Sequence, residues 1–108
     1  MDKKTKQIFE ERARIIKALA HPTRLYIVDQ LKDQRLCVQE LTDLIQADIS
    51  TVSKHLSVLK NAGLVSDEKE GQMVYYSLKV PCVLNFFSCV ESVMNSSDRQ
   101  QLKVINNR

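Results

Sequence analysis

Residues 47–65 read ADISTVSKHLSVLKNAGLV, a helix running into the opening of a strand. Asp48 offers a carboxylate to the first free N–H groups of that helix. Ile49, Val52, Leu56 and Leu59 recur at intervals of three and four, so one helical face is apolar. The other face begins with Ser50, Thr51, Ser53, Lys54 and His55, short hydrogen-bonding groups and a cation. Such a face suits the major groove of DNA, which a recognition helix enters by its N-terminal turns. Gly63 stands where helices commonly end in a left-handed residue, and Leu64 and Val65 start an extended run at once.

Working outward, residues 4–19 carry Ile8, Phe9, Ile15, Ile16 and Leu19 in a helical stripe, interrupted by a polar turn around Arg12. A second helix is predicted after His21, with Pro22 in its first turn and Leu25, Ile27, Val28 and Leu31 apolar. A third is predicted from about Val38 to Gln46, and the fourth from Ile49 to Ala62. Residues 64–69 and 73–79 then alternate as two strands around a turn at Glu70, Gly71 and Gln72. A last helix is predicted from about Pro81 to Met94. Its apolar positions cover more than one narrow face, which suits burial on its own domain on one side and on a twin subunit on the other. Phe86, Phe87 and Val90 are the candidate dimer contacts, with Phe87 alternatively part of the chain's own core. The expected organisation is one domain over residues 1–95 and a polar, flexible tail over 96–108, SSDRQQLKVINNR.

The 108 residues suffice for a single core, and a partner subunit would add useful buried surface. A formal net charge of +3 is a weak footprint for a nucleic-acid binder, so two copies acting together would matter. No apolar run reaches membrane-spanning length. The opening MDKKTKQIFEERARII passes from charges into an amphipathic helix without a signal-peptide core, so a cytoplasmic protein without membrane contact is expected. Three cysteines in a reducing compartment argue against a disulfide framework and leave packing or reactive thiols.

Four segments in this order and at these intervals resemble the ArsR/SmtB family of small winged-helix bacterial repressors. LAHPTRLYIVDQL at 19–31 is similar to the family's second-helix signature, and LCVQELTDLI at 36–45 to its third helix. ADISTVSKHLSVLKNAGLV is similar to the recognition helix, and EGQMVYYSL at 70–78 to the wing and its return strand. The likeness covers roughly residues 8–95. It implies a mostly α fold with a small β-hairpin wing, a winged helix-turn-helix of five helices, assembled as a homodimer on double-stranded operator DNA. The DNA contacts it implies are Ser50, Thr51, Ser53, Lys54 and His55 on the fourth helix and Lys69 and Gln72 in the wing. Relatives commonly present arginines in the wing, whereas Asp67, Glu68 and Glu70 surround Lys69 here, which confines the expected wing contact to Lys69 and Gln72. His55 has three readings: a base contact, a group orienting a phosphate, or a contact to a neighbouring helix.

The resemblance also bears on what releases such a repressor. Relatives that sense zinc or nickel through the last helix carry Asp and His ligands there, but residues 80–95 contain neither. Sulfur remains. Cys37 stands where the family pattern has a Ser or Thr cap followed three residues later by Glu, and Glu40 is present. Cysteine caps poorly, and a helix N-terminus favours the thiolate that binds soft ions or attacks sulfur. Arsenic-sensing relatives place a second cysteine in a similar LCVC motif, where this chain has Gln39, so Cys82 and Cys89 become the candidate partners. They stand seven residues apart, about 10.5 Å along a helix rising about 1.5 Å per residue, too far for one ion to bridge. Pairing of the segment before the third helix with the returning strand is expected to bring Cys37 toward Cys82. Cys89 reaching the other subunit is an alternative, and plain packing of Cys82 and Cys89 as small buried residues is another.

The resulting expectation is a repressor that needs no cofactor to bind DNA and is released by a thiol-directed signal. Trivalent arsenic or antimony comes first, and a redox or persulfide signal at the same cysteines second. A protein-interaction module without DNA affinity is the alternative from another class, because a fold alone does not choose between them. An enzyme is not expected. No cysteine has an evident histidine partner, and no glycine-rich phosphate loop or carboxylate constellation is present.

Overall fold

The computed structural model describes residues 1–97, so most of the expected tail at 96–108 lies outside the described residues. Its elements run α1 (Lys3–Leu19), α2 (Pro22–Gln30), β1 (Leu36–Cys37), α3 (Val38–Ile45), α4 (Ile49–Asn61), β2 (Val65–Glu70), β3 (Met73–Leu78) and α5 (Val83–Ser97). The last helix starts two residues later than expected and continues to Ser97, beyond the domain boundary placed at 95.

Helix boundaries follow from which groups satisfy the free backbone N–H and C=O at each end. Asp2 accepts from the Thr5 N–H at 2.7 Å to start α1, and Asp48 accepts from the Thr51 N–H at 3.0 Å to start α4. His21 caps α2 with its ring, Nδ1 accepting from the Thr23 N–H at 3.1 Å, and Pro22 occupies the first helical position. At the far end of α4 the Leu64 N–H donates to the Leu59 carbonyl at 3.0 Å and the Gly63 N–H to Lys60 at 2.9 Å. Gly63 has φ +83°, so this is the double-bonded left-handed termination that glycine accommodates without a Cβ penalty.

The buried core gathers Leu19 from α1, Ile27 and Val28 from α2, Leu41 from α3 and Val52, Leu56 and Leu59 from α4, closed by Leu64 and Val65 on the way into β2. Five residues of the expected apolar faces are exposed instead, Ile8 and Phe9 of α1 among them. Ile49 is 53% exposed, Leu25 38% and Ile16 51%. Ile49 is the first residue of α4, at the exposed end of that helix, whereas Leu25 and Ile16 line one open groove with Phe86 and Val90 of α5.

The sheet is antiparallel with order β1-β3-β2. Leu36 pairs with Tyr76 and Cys37 with Tyr75, while Val65 to Glu70 run against Leu78 to Met73. The hairpin turns at Gly71, φ +64°. α5 rests on the core through Val83, Leu84 and Phe87. Its outer side, with Phe86 and Val90, is exposed. The radius of gyration, 16.2 Å, exceeds the about 13 Å of a compact chain of this size.

Candidate nucleic-acid interface

α4 is fixed by its buried side. Val52, Leu56 and Leu59 are fully buried, so the helix cannot roll without opening the core. That fixes the opposite side. Ser50, Thr51, Ser53 and Lys54 are all exposed on the first turns of the helix. Thr51 also serves the cap: its hydroxyl and backbone N–H hold the Asp48 carboxyl below the usual carboxylate range, with Ser50 and Lys54 adding to the effect. Asp48 therefore keeps a negative charge at the tip of the helix, among the groups expected to meet DNA.

His55 departs from its neighbours. It is half-buried, with its ring 4.4 Å from that of His21 and Nδ1 3.2 Å from Nη1 of Arg24. The guanidinium can only donate, so Nδ1 accepts. Burial, then His21, then Arg24 push the His55 pKa down. Of the three readings for this residue, the structure places it in contact with a neighbouring helix.

In the wing, Lys69 and Gln72 are exposed as expected. The acidic residues around them are less repulsive than the sequence implied, because cations hold them. Arg35 reaches Glu70 at 2.7 Å and Glu68 at 3.7 Å, and its guanidinium lies over the Tyr75 ring at 4.2 Å. Lys60, at the end of α4, binds Asp67 at 2.9 Å. The wing is thus braced against α4 on one side and against the approach to β1 on the other. Exposed ion pairs of this kind are worth little individually, up to about 1 kcal/mol, so they set the wing's angle more than its stability. Sequence reading missed Arg24, Arg35 and Lys60. Only Arg35 had a signal: it directly precedes a strand and its register brings it to an acidic hairpin.

The three cysteines do not come together as expected. All are free thiols; Cys37 is buried, and Cys82 and Cys89 are exposed. Cys37 does take the N-cap of α3, and Glu40 accepts from its N–H at 3.0 Å, so the glutamate half of the capping box is present. Strand pairing does not carry Cys82 to it, however. Cys37 lies opposite Tyr75, and because the pairing is antiparallel the chain leaves Cys37 as it runs from Tyr75 through Leu78 to Cys82. The reading of Cys82 and Cys89 as small buried residues also fails within one chain, since both face outward. Among the described residues, no three or more His, Cys, Asp or Glu side chains converge on a common point.

The apolar side left open by α1, α2 and α5 forms a groove of about 450 Å³, lined by Ile16, Leu19, Leu25, Tyr26, Phe86 and Val90 among others. Phe86 and Val90 are exposed, and Phe87 is partly buried against the core, the alternative kept open for it. No helix among the described residues is long and apolar enough to cross a membrane.

Residues 21–67 match the family model described as bacterial regulatory protein, arsR family. The chain is 40% identical over 73 residues to the HTH-type transcriptional repressor SmtB of Mycobacterium tuberculosis, an alignment covering 68% of this chain and 54% of that protein. It thus spans about half of that relative's length. Over 84 residues it is 30% identical to the transcriptional repressor SdpR of Bacillus subtilis, covering 78% of this chain and 93% of SdpR. The solution structure of Mb0332 from Mycobacterium bovis is described as a homodimeric winged helix-turn-helix DNA-binding domain. It superposes with a TM-score of 0.75 at 29% identity, covering 88% of each chain.

Proposed function

The chain belongs to the arsR family of bacterial regulatory proteins, and from that premise we propose that it is a DNA-binding transcriptional repressor acting as a homodimer on a two-fold symmetric operator. The observation that carries this reading is the division of α4 into a fully buried side and an exposed first turn of Ser50, Thr51, Ser53 and Lys54. A helix whose roll is fixed by its core and whose free side offers hydroxyls and an ammonium is suited to groove entry, the ammonium on phosphate and the hydroxyls on base edges or sugar-phosphate. Lys69 and Gln72 at the wing tip supply flanking contacts. The open face formed by α1 and α5, with Phe86 and Val90, is where a second copy would pack, setting two reading heads one helical turn of DNA apart.

The test is a binding titration on the DNA immediately upstream of the protein's own gene. Lys54→Ala is expected to weaken binding to all sequences and to lower the salt dependence by roughly one charge equivalent per subunit. Unchanged affinity and salt slope in a folded dimer would remove Lys54 from the interface. No affinity for any duplex would favour the protein-interaction reading.

For the inducer, the reading is a thiol-directed signal, with trivalent arsenic or antimony first because soft ions select sulfur. One chain alone does not fit such an ion: Cys37 is buried, and the exposed Cys82 and Cys89 stand about two helical turns apart. The reading therefore assigns the site to the dimer, with Cys82 or Cys89 meeting the partner's cysteines. Adding arsenite, and separately a persulfide donor, to the DNA complex of the wild type and of the Cys82→Ser, Cys89→Ser double variant tests it. Release only of the wild type supports the reading, the effective reagent identifies the inducer, and equal release of both would exclude these thiols.

A further inference from the structure

Arg24 makes two connections at once. Its Nε–H donates to the Ala18 carbonyl at 2.6 Å, and Nη1 donates to His55 Nδ1 at 3.2 Å. The first partner is one of the carbonyls at the C-terminal end of α1 that the helix itself leaves unsatisfied, where a cation is also favoured by the helix dipole. The second partner is in the middle of α4. One guanidinium, itself half-buried, thus spans from the helix of the open apolar face to the helix of the reading face.

The second bond exists only while His55 is neutral. A protonated imidazole has no acceptor and would face charges of its own sign. His21 and Arg24 face it from the start of α2, and Arg14 and Lys17 of α1 share the adjoining surface groove with Arg24. Most carboxylates on the elements packed around α4 have other partners: Asp29 with Lys32, Glu40 with the Cys37 N–H, Asp43 with Gln39, Asp67 with Lys60, and Glu68 and Glu70 with Arg35. Glu11 of α1 is held by Arg14, and Asp48 by the cap of α4. On α4 itself the nearest charged side chain in sequence is Lys54, another cation. Among the described residues the charged groups that act on His55 are His21 and Arg24, and no carboxylate bonds to it.

We propose that Arg24 and His55 are positioning residues that tie the reading helix to the end of α1, and that protonation of His55 breaks the tie and weakens DNA binding in mild acid. The inference rests on the DNA-binding reading above but is not contained in it. Its direction is distinctive. A histidine that met phosphate would bind DNA more tightly when protonated, since each added positive charge on the interface displaces counterions. The burial that keeps the imidazole neutral has the same sign for stability. The unfolded chain takes up the proton first, at about pH 6.5, so the contribution is present above that pH and is lost as pH falls toward the lower folded value.

The experiment is an anisotropy titration of the full-length protein on the upstream DNA at constant salt, at about pH 7.5 and about pH 5.7, with melting temperatures at both. For the wild type the expected result is a loss of affinity in acid that deepens as the pH falls, with up to two linked protons per dimer. In His55→Asn the amide Oδ1 takes the place of Nδ1, accepts from Arg24 and cannot titrate. Whatever its affinity at the higher pH, that variant is expected to change less than about twofold in acid. Arg24→Lys, with a single ammonium that cannot hold the fork, is expected to lose affinity at both pH values. In the free protein, the amide resonances of Ala18 and Leu19 should follow the His55 titration by NMR and stay still in His55→Asn. Binding that holds or tightens in acid, or α1 resonances indifferent to the His55 titration, overturns the proposal while leaving the DNA-binding reading intact. Absence of DNA binding at both pH values overturns both.

Discussion

The reading head and the α1–α5 face are built from the same kind of amphipathic helix and end in opposite conditions. On α4, Val52, Leu56 and Leu59 are fully enclosed by residues of the same chain, whereas on α5 Phe86 and Val90 remain 45% and 43% exposed. The difference teaches where a single chain stops being sufficient. The head is complete by itself and its surface chemistry is set by local packing, while the other face has an apolar side that the described residues leave open. Large exposed apolar faces of this kind mark interaction surfaces in soluble proteins.

The sharpest way to break the comparison is to damage one region and ask whether the other notices. Leu56→Ala, in the fully enclosed head, is expected to cost about 3 kcal/mol of stability through lost transfer energy and the cavity left behind, read as a lowered denaturant midpoint. A loss below about 1 kcal/mol would mean that the head is not the rigid unit described. Val90→Asp, on the open face, should leave the chain folded but abolish self-association at micromolar concentration in sedimentation. Operator affinity should then fall by about a hundredfold, or about 2.7 kcal/mol. A dimer that survives this change would move the interface away from α5. Gly63→Ala sits between the regions in kind: a Cβ there meets nothing within 4 Å, so the cost is purely conformational at φ +83°. It is expected to be about 1–2 kcal/mol, with the thermal midpoint shifted and the assembly state unchanged.

The head was legible because its signals are local. Asp48, the apolar spacing and Gly63 lie within one helix, and caps and periodicity are properties of neighbouring residues. Ile49 shows the limit of that reasoning: periodicity assigns a side chain its angle around the axis but not whether anything lies beneath that end of the helix. Cys37 shows another. Proximity to Cys82 depended on the direction of a strand pairing, and antiparallel register separates residues that a sketch of the topology brings together. Arg24 and Lys60 gave no signal, and Arg35 only an indirect one, for a related reason. Their partners are six to forty residues away, and a cation's sequence neighbours say nothing of which carboxylate, ring or carbonyl it will find. For His55 the sequence leaves three readings open, because whether a polar side chain turns to solvent or to another helix depends on tertiary packing, and here it meets His21 and Arg24.

The sheet order leaves β2 at an edge, with one row of its backbone groups unpaired while β3 is bonded on both sides. Such an edge is a template on which a foreign strand can grow, and the run SDEKE that follows Val65 is poorly suited to receive one. The acidic charges of the wing, paired on one side with Arg35 and on the other with Lys60, therefore also protect the protein from itself. A redesign that replaced Asp67 and Glu68 with β-branched or aromatic residues, in search of a stiffer or less acidic wing, would give the hairpin a sticky border and turn a solubility safeguard into a seed for fibrous association.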